Sequence, residues 1–133
     1  MIVPAVVRAR IELLGDRARD ELMVTCGGVS MEPAIRRGDR VAISDRAPRV
    51  GDVVAFVTRR GELELHRLIA RAPLVGWWVH GGDNQTSPAL GLVHATQIVG
   101  VADGFARPPR WRDRAAAVRR IGEAAWRIAR RSR

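Results

Sequence analysis

The sequence predicts a mainly β domain of antiparallel strands, with a helix at its N-terminal side and a basic amphipathic helix at its C-terminal end, and three observations carry that prediction. Between residues 26 and 102, short apolar runs alternate with Gly, Pro, Asp and Asn. Aromatic residues make up only 5% of the chain, so Val, Ile, Leu and Ala must fill the interior, and the β-branched share of that set favours strands. After Pro108 and Pro109, apolar residues recur every three or four positions. With 133 residues, 47% of them apolar, the chain can bury one core and is too short for two domains of ordinary size.

The elements follow in order. Residues 5 to about 22 place Val6, Ala9, Leu13 and Leu14 among Arg and Asp, the pattern of an amphipathic helix, and residues 23–26 turn strand-like. Residues 40–43, 52–57, 63–69, 77–80 and 98–102 read as strands at short spacing. Thr58, Arg59, Arg60 and Gly61 read as the turn of a hairpin joining the second and third of these, with Gly61 free to take a positive φ. Pro108 and Pro109 separate residues 1–105 from a tail, 106–133, because neither proline suits a helix interior or a central strand. In the tail Trp111, Ala115, Val118, Ile121, Ala125 and Ile128 form one stripe with Arg on the other faces.

All 23 basic residues are Arg and there is no Lys, for which a coding bias towards Arg, Ala, Val and Gly is the plain explanation. Residues 1–105 hold 13 Arg against 12 Asp and Glu, a net of +1; residues 106–133 hold 10 Arg against Asp113 and Glu123, a net of +8. The basicity therefore belongs to the tail. Its helix has a structural reading, packed on the β domain with its arginines in water, and a functional one, laid on an anionic membrane with Trp111 and Trp126 as interfacial anchors or docked on an acidic partner. Nucleic acid is a weaker partner, because no recognised binding motif accompanies the arginines. No apolar run approaches the roughly 18–20 residues that span a bilayer. Residues 1–7 are apolar but lack a preceding basic segment and a following cleavage site, so no secretory signal is read there. The single Cys26 excludes an internal disulfide and every multi-cysteine zinc pattern, and fits a reducing cytoplasmic compartment, at most peripheral to a membrane.

The segment Gly27, Gly28, Val29, Ser30, Met31, Glu32, Pro33 carries the chemistry. Two glycines allow close backbone approach or dihedrals closed to other residues. A serine at a strand end beside free amide N–H groups is how an acyl-transfer enzyme presents a nucleophile next to an oxyanion hole. Alone, such a segment is more often a turn.

The order of the surrounding pieces adds to this. Ser30-Met31-Glu32-Pro33 is followed by Gly38-Asp39-Arg40-Val41, Gly51-Asp52-Val53-Val54, His66-Arg67, Gly82-Asp83-Asn84 and Ile98-Val99-Gly100-Val101. Over roughly residues 26–102 the chain resembles the S24/S26 superfamily of serine peptidases, and most closely the type I signal peptidases. The resemblance implies a coiled antiparallel β domain of the signal-peptidase/LexA-like type. It also implies a serine that attacks a peptide carbonyl, a substrate held extended against strand edges, and small side chains just before the cut. The common bacterial form of that family uses a lysine directly before an Arg. Here that slot reads His66-Arg67, so the chain resembles the endoplasmic-reticulum-type branch, in which histidine is the base.

The composition reaches the same base independently. Without lysine a Ser/Lys dyad is impossible, and Arg stays protonated at any working pH. A neutral imidazole can accept the serine proton and return it to the leaving amine. By itself His66 also suits a strand histidine facing solvent among Glu62, Glu64 and Arg67; with the motif order it is read as the base, while His80 and His94, on apolar stretches, are read as structural and Cys26 as a small buried hydrophobe.

Histidine-type relatives carry an orienting aspartate several residues beyond Gly-Asp-Asn, whereas this chain continues Gln85, Thr86, Ser87, Pro88 with no second acid. Three readings stay open: Asp83 orients His66, the hydroxyl of Ser87 or Thr86 does so, or the pair works alone. Asp83 also suits a local Asx-type turn. Some relatives place a hydroxyl donor two positions before the nucleophile, where this chain has Gly28, so oxyanion stabilisation falls to backbone N–H groups, that of Ser30 foremost. Gly28, Val29 and Met31 are the expected oxyanion and substrate-binding positions, with Met31 and Pro33 mainly packing and steering the chain. Asp39 and Asp52 are read as turn acids. The reading is a serine endopeptidase acting on a leader or signal-like peptide through Ser30, His66 and Asp83, with no cofactor and no metal. A peptidase fold that binds peptides or partners without turnover is the alternative.

Overall fold

Residues 53–57, Val-Val-Ala-Phe-Val, form an uninterrupted apolar run, which suits a strand buried on both faces. They are the centre of the molecule. The computed structural model describes residues 22–84 and 90–131, and its strands are β1 Leu22–Thr25, β2 Arg40–Ser44, β3 Val53–Val57, β4 Leu63–Arg71, β5 Trp77–Gly81, β6 Gly91–His94 and β7 Ile98–Ala102. All pair antiparallel in one sheet of order β1-β2-β7-β3-β4-β5-β6. Six strands match runs expected from the sequence to within two residues; β6 was not expected. The helix read over residues 5–22 falls almost wholly outside the described residues.

Because side chains alternate across a strand, β3 feeds two cores. Val53, Ala55 and Val57 pack with Val24, Met31, Ile35, Val41 and Leu65, whereas Val54 and Phe56 pack with Leu68, Trp78, Val93 and Val101. Each such fully buried aliphatic side chain contributes about 1.5–3 kcal/mol. The hairpin between β3 and β4 turns at Gly61, whose φ of 81° is the positive value expected there. Its register pairs Val54 with His66, which sets His66 on the Val54 and Phe56 side of the sheet. The β4–β5 register, with an irregularity between Leu68 and Ala70, pairs Leu68 with His80 and brings a second imidazole to the same side.

Helix α1, Trp111–Arg131, starts directly after the proline pair, with Asp113 in its first turn and Arg130 and Arg131 in its last, the polarity that the helix dipole favours. It docks through Ala117, fully buried against Ile69, Val79 and Leu90, with Ala116 and Ile121 at the margin. Most of its apolar stripe points elsewhere: Trp111 is 75% exposed, Val118 70% and Trp126 63%. The helix is thus packed on the domain along a narrow alanine edge, and the wide apolar face expected from the periodicity stays in solvent. Among the described residues no helix is long and apolar enough to cross a membrane.

Candidate active site

Ser30 lies in the turn between β1 and β2, anchored from both sides. Cys26 N–H donates to the Asp39 carbonyl at 2.8 Å and Gly38 N–H to the Cys26 carbonyl at 2.8 Å, closing the loop base, while Met31 and Ile35 are buried beneath it. On the other side Asn84 N–H donates to the Ser30 carbonyl at 2.8 Å and its side-chain amide to the Val29 carbonyl at 3.3 Å. The Gly-Asp-Asn segment therefore holds the serine turn in place.

His66 meets this turn from β4. Its Nε2 lies 3.2 Å from Ser30 Oγ and its Nδ1 2.9 Å from His80 Nδ1. Phe56 packs beside both rings, with centroids 5.7 Å from His66 and 4.7 Å from His80. Burial lowers the His66 pKa below its ordinary 6.5, and the negative charge of Asp83 opposes this only in part. Burial, the neighbouring His66 and Arg120 of α1 drive His80 down to about 4. Both rings are neutral at pH 7.

Asp83 does not make the contact expected of an orienting acid. Its carboxylate is engaged face to face by Arg67, which donates from Nε at 2.9 Å and from Nη2 at 2.9 Å, and by Arg107 Nη2 at 3.1 Å. Burial pushes the Asp83 carboxyl up, but Arg67 and Arg107 more than reverse this and hold it below the usual carboxylate range. Arg67 is buried and spends its remaining donor, Nη1, on the carbonyls of Gly51 at 2.7 Å and Phe105 at 2.6 Å. A buried guanidinium needs such a carboxylate, and that requirement takes Asp83 away from His66. Thr86 and Ser87, the other expected orienters, lie outside the described residues. The place beside His66 Nδ1 is filled by His80, which the sequence reading treated as structural.

The remaining residues stand as follows. Cys26 is buried, its thiol donating to the Gly28 carbonyl at 3.4 Å. Asp39 accepts from Arg36 N–H at 2.9 Å; Asp52 accepts from Arg49 N–H at 2.8 Å and pairs with both terminal nitrogens of Arg46, so both are turn acids. His94 caps the short 3-10 turn Ala95–Gln97, its Nδ1 accepting from Thr96 N–H. The glycine pair serves differently from the expectation. Neither Gly27 nor Gly28 has a positive φ, and a Cβ at either would meet nothing within 4 Å. Their smallness instead leaves open a cleft of about 340 Å³, lined by Val24, Cys26, Gly28, Ser30, Leu65 and His66 among others. Val29 is 45% exposed at its rim, and Met31 is a core residue. Among the described residues the Ser30 amide N–H has no hydrogen-bond partner.

Two strand edges border this cleft. β1 pairs only with β2, and β4 is joined to β5 only from Arg67 onward, so residues 63–66 keep one edge unpaired among the described residues. No protein-family model matches the chain, and no curated protein matches it.

Proposed function

We propose that this chain is a serine endopeptidase in which Ser30 is the nucleophile and His66 the general base, with a β domain of the signal-peptidase/LexA-like type. The observation that carries the reading is the 3.2 Å contact between Ser30 Oγ and His66 Nε2 at the floor of an open cleft. An extended peptide fits between the free edges of β1 and residues 63–66, adding main-chain hydrogen bonds as a strand would. Ser30 Oγ attacks the carbonyl carbon while its proton passes to His66 Nε2. The oxyanion points at the Ser30 N–H beside Gly28 and Val29. His66 then protonates the leaving amine, the C–N bond breaks, and water attacks the acyl-serine by the same relay in reverse order. The narrow, apolar floor beside Cys26 and Leu65 suits a small side chain before the cut. Incubation with a library of leader-like peptides, read by mass spectrometry, is expected to give cuts after small residues that vanish in Ser30→Ala. Intact peptides that remain bound would favour a peptide-binding module.

Since burial holds His66 below 6.5, activity is expected to persist at pH 6.5 and to decline only at more acidic pH, measured as the acid limb of kcat/KM. A limb at alkaline pH would assign another base. Stability follows the same direction. The unfolded chain protonates His80 near 6.5, whereas the folded chain resists until about 4. Stability is therefore full above 6.5 and falls as pH drops towards 4, by about 3 kcal/mol from this ring alone. Urea denaturation at pH 7.5 and 4.5 measures it; equal midpoints would contradict it.

The helix α1 completes the reading as an anchor to an anionic lipid surface. Trp111, Val118, Trp126 and Ile128 are exposed, as are Leu74 and Val75 at the tip between β4 and β5. Leu74, Trp77, Leu92, Ile121 and Ile128 line an apolar groove of about 520 Å³ between the two. Arginines flank this apolar surface, the arrangement of an interfacial helix. Co-sedimentation with phosphatidylserine vesicles is expected at low salt, weakening at high salt and in Trp126→Ala. Absence of binding at low salt would leave the helix a structural one.

A further inference from the structure

We propose that His80 is a positioning residue that holds the His66 ring in the one tautomer able to take the Ser30 proton, giving a serine–histidine–histidine relay; this rests on the peptidase reading. The two Nδ1 atoms are 2.9 Å apart, and a hydrogen bond between ring nitrogens requires one proton and one lone pair. Two arrangements meet that requirement. With the proton on His80 Nδ1, the His66 proton sits on Nε2 and faces Ser30 Oγ, where a base needs a lone pair. With the proton on His66 Nδ1, Nε2 offers its lone pair to the hydroxyl 3.2 Å away.

Only the second serves a general base, so the relay requires His80 Nδ1 to accept and His66 Nδ1 to donate. A neutral imidazole has one proton. With His80 Nδ1 accepting, that proton is on Nε2, the ring nitrogen beside Gly91 of β6. The ring of β5 thus sets the protonation of the base on β4. Among the described residues nothing else competes for His66 Nδ1, since Asp83 is committed to Arg67 and Arg107.

The surroundings keep this acceptor neutral. The groups facing His80 are His66 from β4, Arg120 from α1 and the uncharged Phe56 ring from β3; Asp83 acts on His66. Arg120 and the neighbouring His66 ring both disfavour a second proton on His80, and burial acts the same way. Gly91, paired with His80, makes the room: a Cβ there would stand 2.7 Å from His80 Nε2. Alanine at 91 would displace the ring without altering its chemistry.

The test has two readouts. In ¹⁵N-histidine-labelled wild type at pH 7, ring NMR is expected to place the proton on Nδ1 of His66 and on Nε2 of His80. His80→Leu is expected to slow phosphonylation of Ser30 by a fluorophosphonate on the order of 10²-fold, by loss of the tautomer-fixing partner. His80→Asn, which returns an acceptor oxygen near the lost Nδ1, should recover at least tenfold of that. Gly91→Ala should slow it in the same direction. Wild-type His66 protonated on Nε2, or equal losses in His80→Leu and His80→Asn with both folded, would overturn the relay. A wild type inert to the probe would overturn the peptidase reading, and the NMR assignment would still decide the role of His80.

Discussion

Replacing His66 by alanine is expected to slow acylation of Ser30 at pH 7.5 by on the order of 10⁴- to 10⁶-fold, with the fold retained. The size follows from the lack of a substitute. Among the described residues Ser30 Oγ has one basic partner, at 3.2 Å, the chain holds no lysine, and Arg67, although adjacent to His66 in sequence, is permanently charged and clamped to Asp83. Added imidazole should restore part of the rate, because the space vacated in His66→Ala adjoins the open cleft. Stopped-flow or discontinuous labelling with circular dichroism on the same samples measures both quantities. A His66→Ala rate within tenfold of wild type would remove this ring from the chemistry.

The largest stability loss is expected from Arg67→Met. Arg67 and Asp83 are almost wholly buried, at 2% and 5% side-chain exposure. Removing the guanidinium leaves a buried carboxylate whose one remaining cation among the described residues is the half-exposed Arg107, and strips a donor from the Gly51 and Phe105 carbonyls. Breaking such a pair costs about 3–5 kcal/mol. Because the Gly-Asp-Asn turn also holds the Ser30 carbonyl through Asn84, the serine turn should loosen with it. Asp83→Asn should likewise destabilise. In the molecules that remain folded it should move the acid limb slightly lower, since Asp83 raises the His66 pKa. Urea midpoints and pH–rate profiles separate the two effects. An Asp83→Asn protein of unchanged stability but abolished activity would return Asp83 to the role of orienting acid.

Much of the sheet was legible because its strands are short β-branched runs bounded by turn residues, and for a run such as residues 53–57 the short length and the valines favour a buried strand over a buried helix. β6 escaped because four residues with one buried side chain, Val93, carry almost no periodicity, and its pairing to β5 is a tertiary fact. The proximity of Ser30 and His66 was legible from the order of the motifs. The partner of His66 was not: His80 reaches it through a strand register that slips between Leu68 and Ala70, which no local pattern encodes. The fate of Asp83 could have been found, since an arginine inside the apolar strand that carries His66 demands a carboxylate. For α1, periodicity shows that one face is apolar but cannot say which edge the domain takes. The alanines at 116 and 117 allow the close approach, and the tryptophans are left outside.

In the proposed chemistry Ser30 is a nucleophile because His66 takes its proton. Reaction with a fluorophosphonate, digestion and tandem mass spectrometry test it most directly. A single adduct on Ser30 is expected, absent from His66→Ala over the same time course. An adduct on any other residue, or one on Ser30 that forms equally fast without His66, would contradict it.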